Sequence, residues 1–135
     1  MEEILGKIRS NGGRISNIRR NIIEYLYQKG CLSSQADIVR YLEKNNLNPN
    51  RSTLFRELSY LTKHNFVQKN SIANIDYYEI PSNHHHHLVC LKCNSIERID
   101  MCNHLEEHEE EIAMKKGFTV INHSLEFYGH CEKCK

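Results

Sequence analysis

His84-His85-His86-His87-Leu88-Val89-Cys90-Leu91-Lys92-Cys93, with its counterpart Cys131-Glu132-Lys133-Cys134, is the stretch around which the chain is organised. Each Cys-x-x-Cys pair presents two sulfurs from one tight knuckle. Two knuckles supply the four thiolates of a closed, tetrahedral zinc site. Cys90, Cys93, Cys131 and Cys134 are therefore the candidate structural zinc ligands. A pair of disulfides is the alternative and needs an oxidising compartment. No signal peptide is recognisable, and no apolar run approaches the ~20 residues of a membrane helix. A soluble, cytoplasmic protein with reduced thiols is the expectation. Residues 94–130 must then form a small subdomain that brings the two knuckles together. Cys31 and Cys102 stand outside the pairs and read as buried or free thiols.

The histidine run sits directly before the first knuckle. Where it enters the Leu88-Val89-Cys90 strand, successive side chains point to opposite faces. His84 and His86 share one face, and His85 and His87 the other. One strand can thus serve two separate metal sites, each through an i, i+2 imidazole pair. Inert surface histidines are the weaker reading for four in a row beside a zinc knuckle.

Ahead of this region lies a stretch of different character. The 135 residues suffice for one ordinary domain or two small ones. Residues 1–80 carry 12 Lys/Arg against 8 Asp/Glu, whereas residues 81–135 carry 6 against 9. A basic front and an acidic back point to the front half as the part that meets a polyanion. Ile4, Leu5 and Ile8 mark a short amphipathic helix ended by Asn11-Gly12-Gly13. A second starts at Ser16 or Asn17, turns Ile18, Ile22, Ile23 and Leu26 inward, and closes at Gly30. Ser33 or Ser34 caps a third, with Ile38, Val39 and Leu42 buried.

A fourth helix, over about 51–64, buries Leu54, Leu58 and Leu61. Its first turns expose Arg51, Ser52, Thr53, Phe55 and Arg56. Arginines, small hydroxyls and an aromatic at a helix N-terminus suit a major-groove reader; an ordinary solvated face is the plainer alternative. Two strands, 66–69 and 75–80, follow around residues 70–74, and helices completed by such a hairpin make a winged helix. Phosphate contacts are expected from Arg14, Arg19, Arg20 and Lys69.

Behind the linker at 81–83, a strand is expected at 95–99 and a helix from about 103 to 116, stopped by Gly117. Strands at 118–121 and 125–128 would flank a turn at 122–124. The acidic run 106–111 reads as a solvated helix face; His104 and His108, one turn apart, could chelate a metal but read as solvent-facing. So small a unit needs support from zinc and from dimerisation. The expected class is α+β: a winged-helix DNA-binding domain (1–80), a hinge (81–83) and an α/β zinc-bound dimerisation domain (84–135).

The ordered set of motifs resembles the ferric uptake regulator (Fur) family of metal-dependent bacterial repressors. Gly13-Arg14-Ile15-Ser16-Asn17-Ile18-Arg19 is similar to the family's N-terminal Gly-x-Arg-x-Thr-x-x-Arg stretch. Ser52-Thr53-Leu54-Phe55-Arg56-Glu57-Leu58 resembles its reading helix, with Phe55 in place of Tyr and Glu57 in place of an apolar residue. His84 to Cys93, Asn122-His123-Ser124-Leu125, Tyr128-Gly129-His130-Cys131 and Cys134 complete the pattern. The resemblance implies a homodimer that binds double-stranded operator DNA, with structural zinc and regulatory iron(II), zinc or manganese(II).

By position, the resemblance places Glu79, His85 and His87 at a hinge site between the domains. It places His84, His86, Glu106 and His123 at a second site. Two departures leave the hinge site short of the family's full set. Leu32, beside Cys31, stands where a His is usual, and Arg98, between Glu97 and Asp100, stands where an acid is usual. Cys31, Glu97 and Asp100 are the further hinge candidates.

The leading function is a metal-loaded repressor that binds inverted-repeat operators and controls metal uptake, with no enzymatic activity. A peroxide-sensing repressor is one alternative. A zinc hydrolase or deaminase is another, but it needs an open zinc position and a general base, and the deaminase His-x-Glu signature is absent.

Overall fold

Local sequence signals set most element boundaries in the front of the chain. Helix α1 (Glu2–Ser10) leads into α2 (Asn17–Lys29), whose N-cap Ser16 accepts the Arg19 backbone N–H at 3.1 Å. Gly30 ends α2 in the left-handed conformation, φ 60°, that a side chain resists. Strand β1 (Ser33–Ser34) runs straight into α3 (Gln35–Lys44), because Ser34 also forms a capping box with Asp37. Asn50 caps α4 (Arg51–Lys63), accepting the Thr53 N–H at 2.8 Å. Leu5, Ile8, Ile22, Ile23, Leu26, Ile38, Leu42 and Leu61 are fully buried where these helices meet. Each such side chain contributes about 1.5–3 kcal/mol of burial.

The structure, a computed structural model, describes residues 1–81, 84–101, 104–121 and 123–135, with residue 104 described by its backbone alone. The linker residues 82 and 83, Cys102, the expected helix start at 103, turn residue 122 and the side chain of His104 lie outside the described residues. The chain divides into two compact units, Met1–Ser82 and Asn83–Lys135.

In the first unit, β2 (Gln68–Ile72) and β3 (Ile75–Glu79) form an antiparallel hairpin. Its turn is tighter than the expected 70–74 loop. Only Ala73 and Asn74 lie outside the ladder, at φ 50° and 62°, and two positive φ values match the right-handed strand twist. Strand β1 pairs with β3, giving the order β1-β3-β2. Two residues are too few for a periodicity signal, so β1 is visible only in the fold. Helices plus this hairpin make the expected winged helix.

The second unit holds β4 (His86–Cys90), β5 (Ile96–Ile99), α5 (His104–Lys116) and β6 (Glu126–Gly129). The sheet order is β5-β4-β6, with β5 antiparallel and β6 parallel to the central strand. Residues 118–121, expected as a strand, join no ladder among the described residues. Phe118 and Ile121 are exposed, and no strand among the described residues lies beside them to supply hydrogen-bond partners. The α+β class stands, with one strand fewer than expected among the described residues of its second half. No helix among the described residues is long and apolar enough to cross a membrane.

One close approach in the first unit admits no side chain. A Cβ on Gly13 would overlap the Tyr60 hydroxyl and lie 2.8 Å from Ile8 Cγ2. Gly13→Ala is expected to destabilise the protein by about 1–3 kcal/mol through overpacking, read as a lower urea midpoint at unchanged slope.

Candidate metal centres and nucleic-acid interface

Parallel pairing of β4 and β6 sets both candidate metal centres. Cys90 ends β4 opposite Gly129 near the end of β6, so the knuckles that follow the two strands emerge side by side. The Leu91 N–H donates to Gly129 O at 2.8 Å, and the Cys131 N–H donates to Cys90 Sγ at 3.4 Å. The four sulfurs of Cys90, Cys93, Cys131 and Cys134 lie within 4.8 Å of one another. Cys93 Sγ and Cys131 Sγ are 3.8 Å apart. A tetrahedron with zinc–sulfur bonds of about 2.3 Å has edges of roughly 3.8 Å, so the donor set fits that ion.

The thiols differ in acidity, as a clustered set must. Backbone N–H groups of Cys131, Cys93 and Lys92 lower the Cys90 thiol to about 5. Hydrogen bonding to Cys131, with burial, raises the Cys134 thiol to about 12. One sulfur therefore ionises readily while another resists sharing its space with negative charge. A bound dication removes that conflict by stabilising all four thiolates.

The opposite ends of the same two strands gather imidazoles. His123 lies three residues before β6, and parallel pairing sets it beside the start of β4. Its ring lies 4.3 Å from that of His84 and 5.3 Å from that of His86, centroid to centroid. The Nε2 atoms of His84 and His86 are 3.3 Å apart, which is the edge of a tetrahedron with metal–nitrogen bonds of about 2.0–2.1 Å. Burial, then the neighbouring His84 and His123, hold the His86 pKa below the ordinary 6.5, so its nitrogen stays available as a donor. His85 and His87 pair on the other face, with ring centroids 4.8 Å apart.

Among the acids of the back half, Glu109 meets His123. Glu106 and Glu109 both lie on α5, but Glu109 is half-buried and Glu106 is exposed. Arg98 stands opposite His87 on β5 and donates to Asp100 at 2.8 and 3.0 Å, so a local acid offsets its charge. Glu97 is exposed and Cys31 is buried; neither joins a converging donor set among the described residues. Glu79 ends β3 in the first unit, where the Asn70 amide donates to its carboxylate at 3.5 Å.

On α4, Arg51, Ser52, Phe55 and Arg56 are exposed on the first two turns and Thr53 is half-buried. Arg56 also donates to the Thr53 hydroxyl at 3.4 Å. Arg14 is exposed and Lys69 bridges to Asp76 at 3.1 Å across the wing. Arg19 departs from its expected role. Its Nε donates to Glu57 at 2.6 Å, another N–H reaches Arg14 O, and the guanidinium stacks 3.8 Å above the Tyr60 ring. With both partners largely buried, Arg19 is committed to holding α2 against α4.

Residues 10–128 match the ferric uptake regulator family. The chain belongs to the ferric uptake regulator family. It is 31% identical to the ferric uptake regulation protein of Yersinia pestis, over 93% of this chain and 86% of that protein. It is 27% identical to the peroxide operon regulator of Bacillus subtilis, over 99% and 92%. The solved Helicobacter pylori ferric uptake regulator, described as having three functional metal binding sites, superposes with a TM-score of 0.83 at 27% identity. That superposition covers 98% of this chain and 92% of the other. Ferric uptake regulators are metal-responsive transcription regulators, and the donor sets above suit that family's zinc, iron and manganese.

The Glu57 carboxylate, which sequence reasoning noted only as a departure from this family's pattern, is the partner that anchors Arg19. Arg19→Ala is expected to lower stability by about 1–3 kcal/mol, because Glu57 loses its partner. Arg56→Ala should leave the melting temperature unchanged and weaken DNA binding. Thermal melts and DNA titrations of both variants check the contrast.

Proposed function

We propose that this member of the ferric uptake regulator family is a cytoplasmic, non-enzymatic repressor that binds inverted-repeat operator DNA as a metal-loaded homodimer. One observation carries the reading: the same chain exposes a basic reading face on α4 and gathers metal donors at both ends of β4. Arg51 and Arg56 would reach guanine edges or phosphates, and Phe55 a thymine methyl. Cys90, Cys93, Cys131 and Cys134 would hold the structural zinc, leaving no open position for hydrolytic water. Leu88, Ile112, Phe127 and Tyr128 of the second unit expose apolar surface that a dimer would cover.

For regulation, we assign Glu79, His85 and His87 to the hinge site. A metal held there would tie the end of the wing to the histidine strand. It would bias the angle between domains and so the spacing of two reading helices. The site on the other face, with His84, His86 and His123, lies wholly in the second unit and would act on DNA binding only indirectly. A donor set of imidazole and carboxylate without sulfur also permits iron(II), which keeps peroxide sensing as the second reading.

Two measurements test this. Metal-titrated DNA binding should be lost in His85→Ala, with the dimer intact by sedimentation, and only weakened in His123→Ala. The reverse ranking would make the second-unit site the sensor. Cys93→Ser should lose zinc and the dimer together; a well-folded zinc-free dimer would overturn the structural assignment.

A further inference from the structure

The acidic run of α5 offers five glutamates, and one behaves differently from the rest. Among the described residues, Glu106, Glu107, Glu110 and Glu111 are exposed, and Glu111 is engaged by Lys115 at 2.7 Å. Glu109 is half-buried and its Oε1 contacts His123 Nδ1. An ionised carboxylate has only acceptor sites, so Nδ1 must carry the proton and donate. Proton placement on one ring nitrogen decides what the other can do. Here it leaves Nε2 of His123 as the nitrogen with a lone pair, in a ring packed against those of His84 and His86.

We propose that Glu109 is a positioning residue for the second-unit metal site: it fixes His123 as the Nδ1–H tautomer and turns Nε2 toward the His84–His86 pair. The proposal rests on the reading of His84, His86 and His123 as a site for a divalent cation. The chemistry is general, since a histidine that ligates a metal through one nitrogen commonly donates its other N–H to a carboxylate. That bond sets ring orientation and raises the basicity of the donor nitrogen. It also separates two carboxylate roles that sequence position alone merges. Glu109 acts through His123, and the fourth coordination position is left to another donor, Glu106 or water. The three imidazoles suit zinc, iron(II), cobalt(II) and manganese(II) to different degrees, and a more basic His123 strengthens all of them.

The test uses the full-length, zinc-containing protein. Nitrogen-15 histidine correlation spectra, recorded at pH 8 before any further metal is added, should show His123 as the Nδ1–H tautomer in the parent. Glu109→Ala should shift it to the Nε2–H form, while Glu109→Gln, whose amide oxygen still accepts, should retain much of the parental signature. Cobalt(II) titration against a competing chelator should show a loss of about ten- to hundredfold at this site in Glu109→Ala, with partial rescue in Glu109→Gln. Helix content and zinc stoichiometry serve as folding controls, and alanine has the best helix propensity of any residue. A parental tautomer and parental cobalt affinity in Glu109→Ala would overturn the proposal. So would a tautomer change in Glu106→Gln but not in Glu109→Ala. If His84→Ala and His123→Ala keep the parental cobalt stoichiometry, the metal-site reading fails and the role of Glu109 fails with it. If they lose one cobalt while Glu109→Ala keeps the parental tautomer and the parental cobalt affinity, only the positioning role fails.

Discussion

Pairing β6 parallel to β4 is the constraint on which the second unit depends. Antiparallel neighbours joined by a hairpin would set the end of one strand beside the start of the next. Parallel neighbours set like ends together, and that geometry needs a crossover, here supplied by β5 and α5. Both knuckles therefore emerge at one end of the sheet, and the histidines meet at the other. A small sheet with few buried side chains thus gathers a cluster of metal-donor side chains at each end. This matters because Val89, Cys90, His86 and His87 are most of what the unit buries among the described residues.

The burial pattern explains why donors do the work that a core does elsewhere. A unit of this size gains little from apolar burial, and several of its large apolar side chains remain exposed. A metal held by these donors would add its affinity to the folding free energy, because an unfolded chain holds no such site.

The first unit solves a different problem with ordinary means. Its helices close on a fully buried aliphatic core, and its boundaries are written in caps at Ser16, Ser34 and Asn50. The reading helix is then pinned from behind by Arg19, which meets Glu57 and Tyr60, while Gly13 lets the Tyr60 hydroxyl approach the backbone. A cation kept on the inner side of α4 leaves Arg51 and Arg56 as the charges presented at its exposed front. Rigidity behind and charge in front are what the proposed role of α4 as a groove reader would require.

Sequence by itself determined the winged-helix and zinc-knuckle class of this protein. Periodicity, caps and Cys-x-x-Cys spacing are local signals, and each carries its own physical reason. The division of His84–His87 into two faces follows from strand geometry in the same local way. What only the tertiary structure decided depends on contacts between residues far apart in the chain. Arg19 and Glu57 are distant in sequence, so an arginine suited to phosphate could not be distinguished from one held by a carboxylate. Glu106 and Glu109 lie on one acidic helix with the same composition around them, and only the docking of α5 shows that Glu109 meets His123. Strand β1 is too short to show a period, and residues 118–121 have a strand's composition but no neighbour to pair with. A ladder needs two partners, and a sequence pattern describes only one of them.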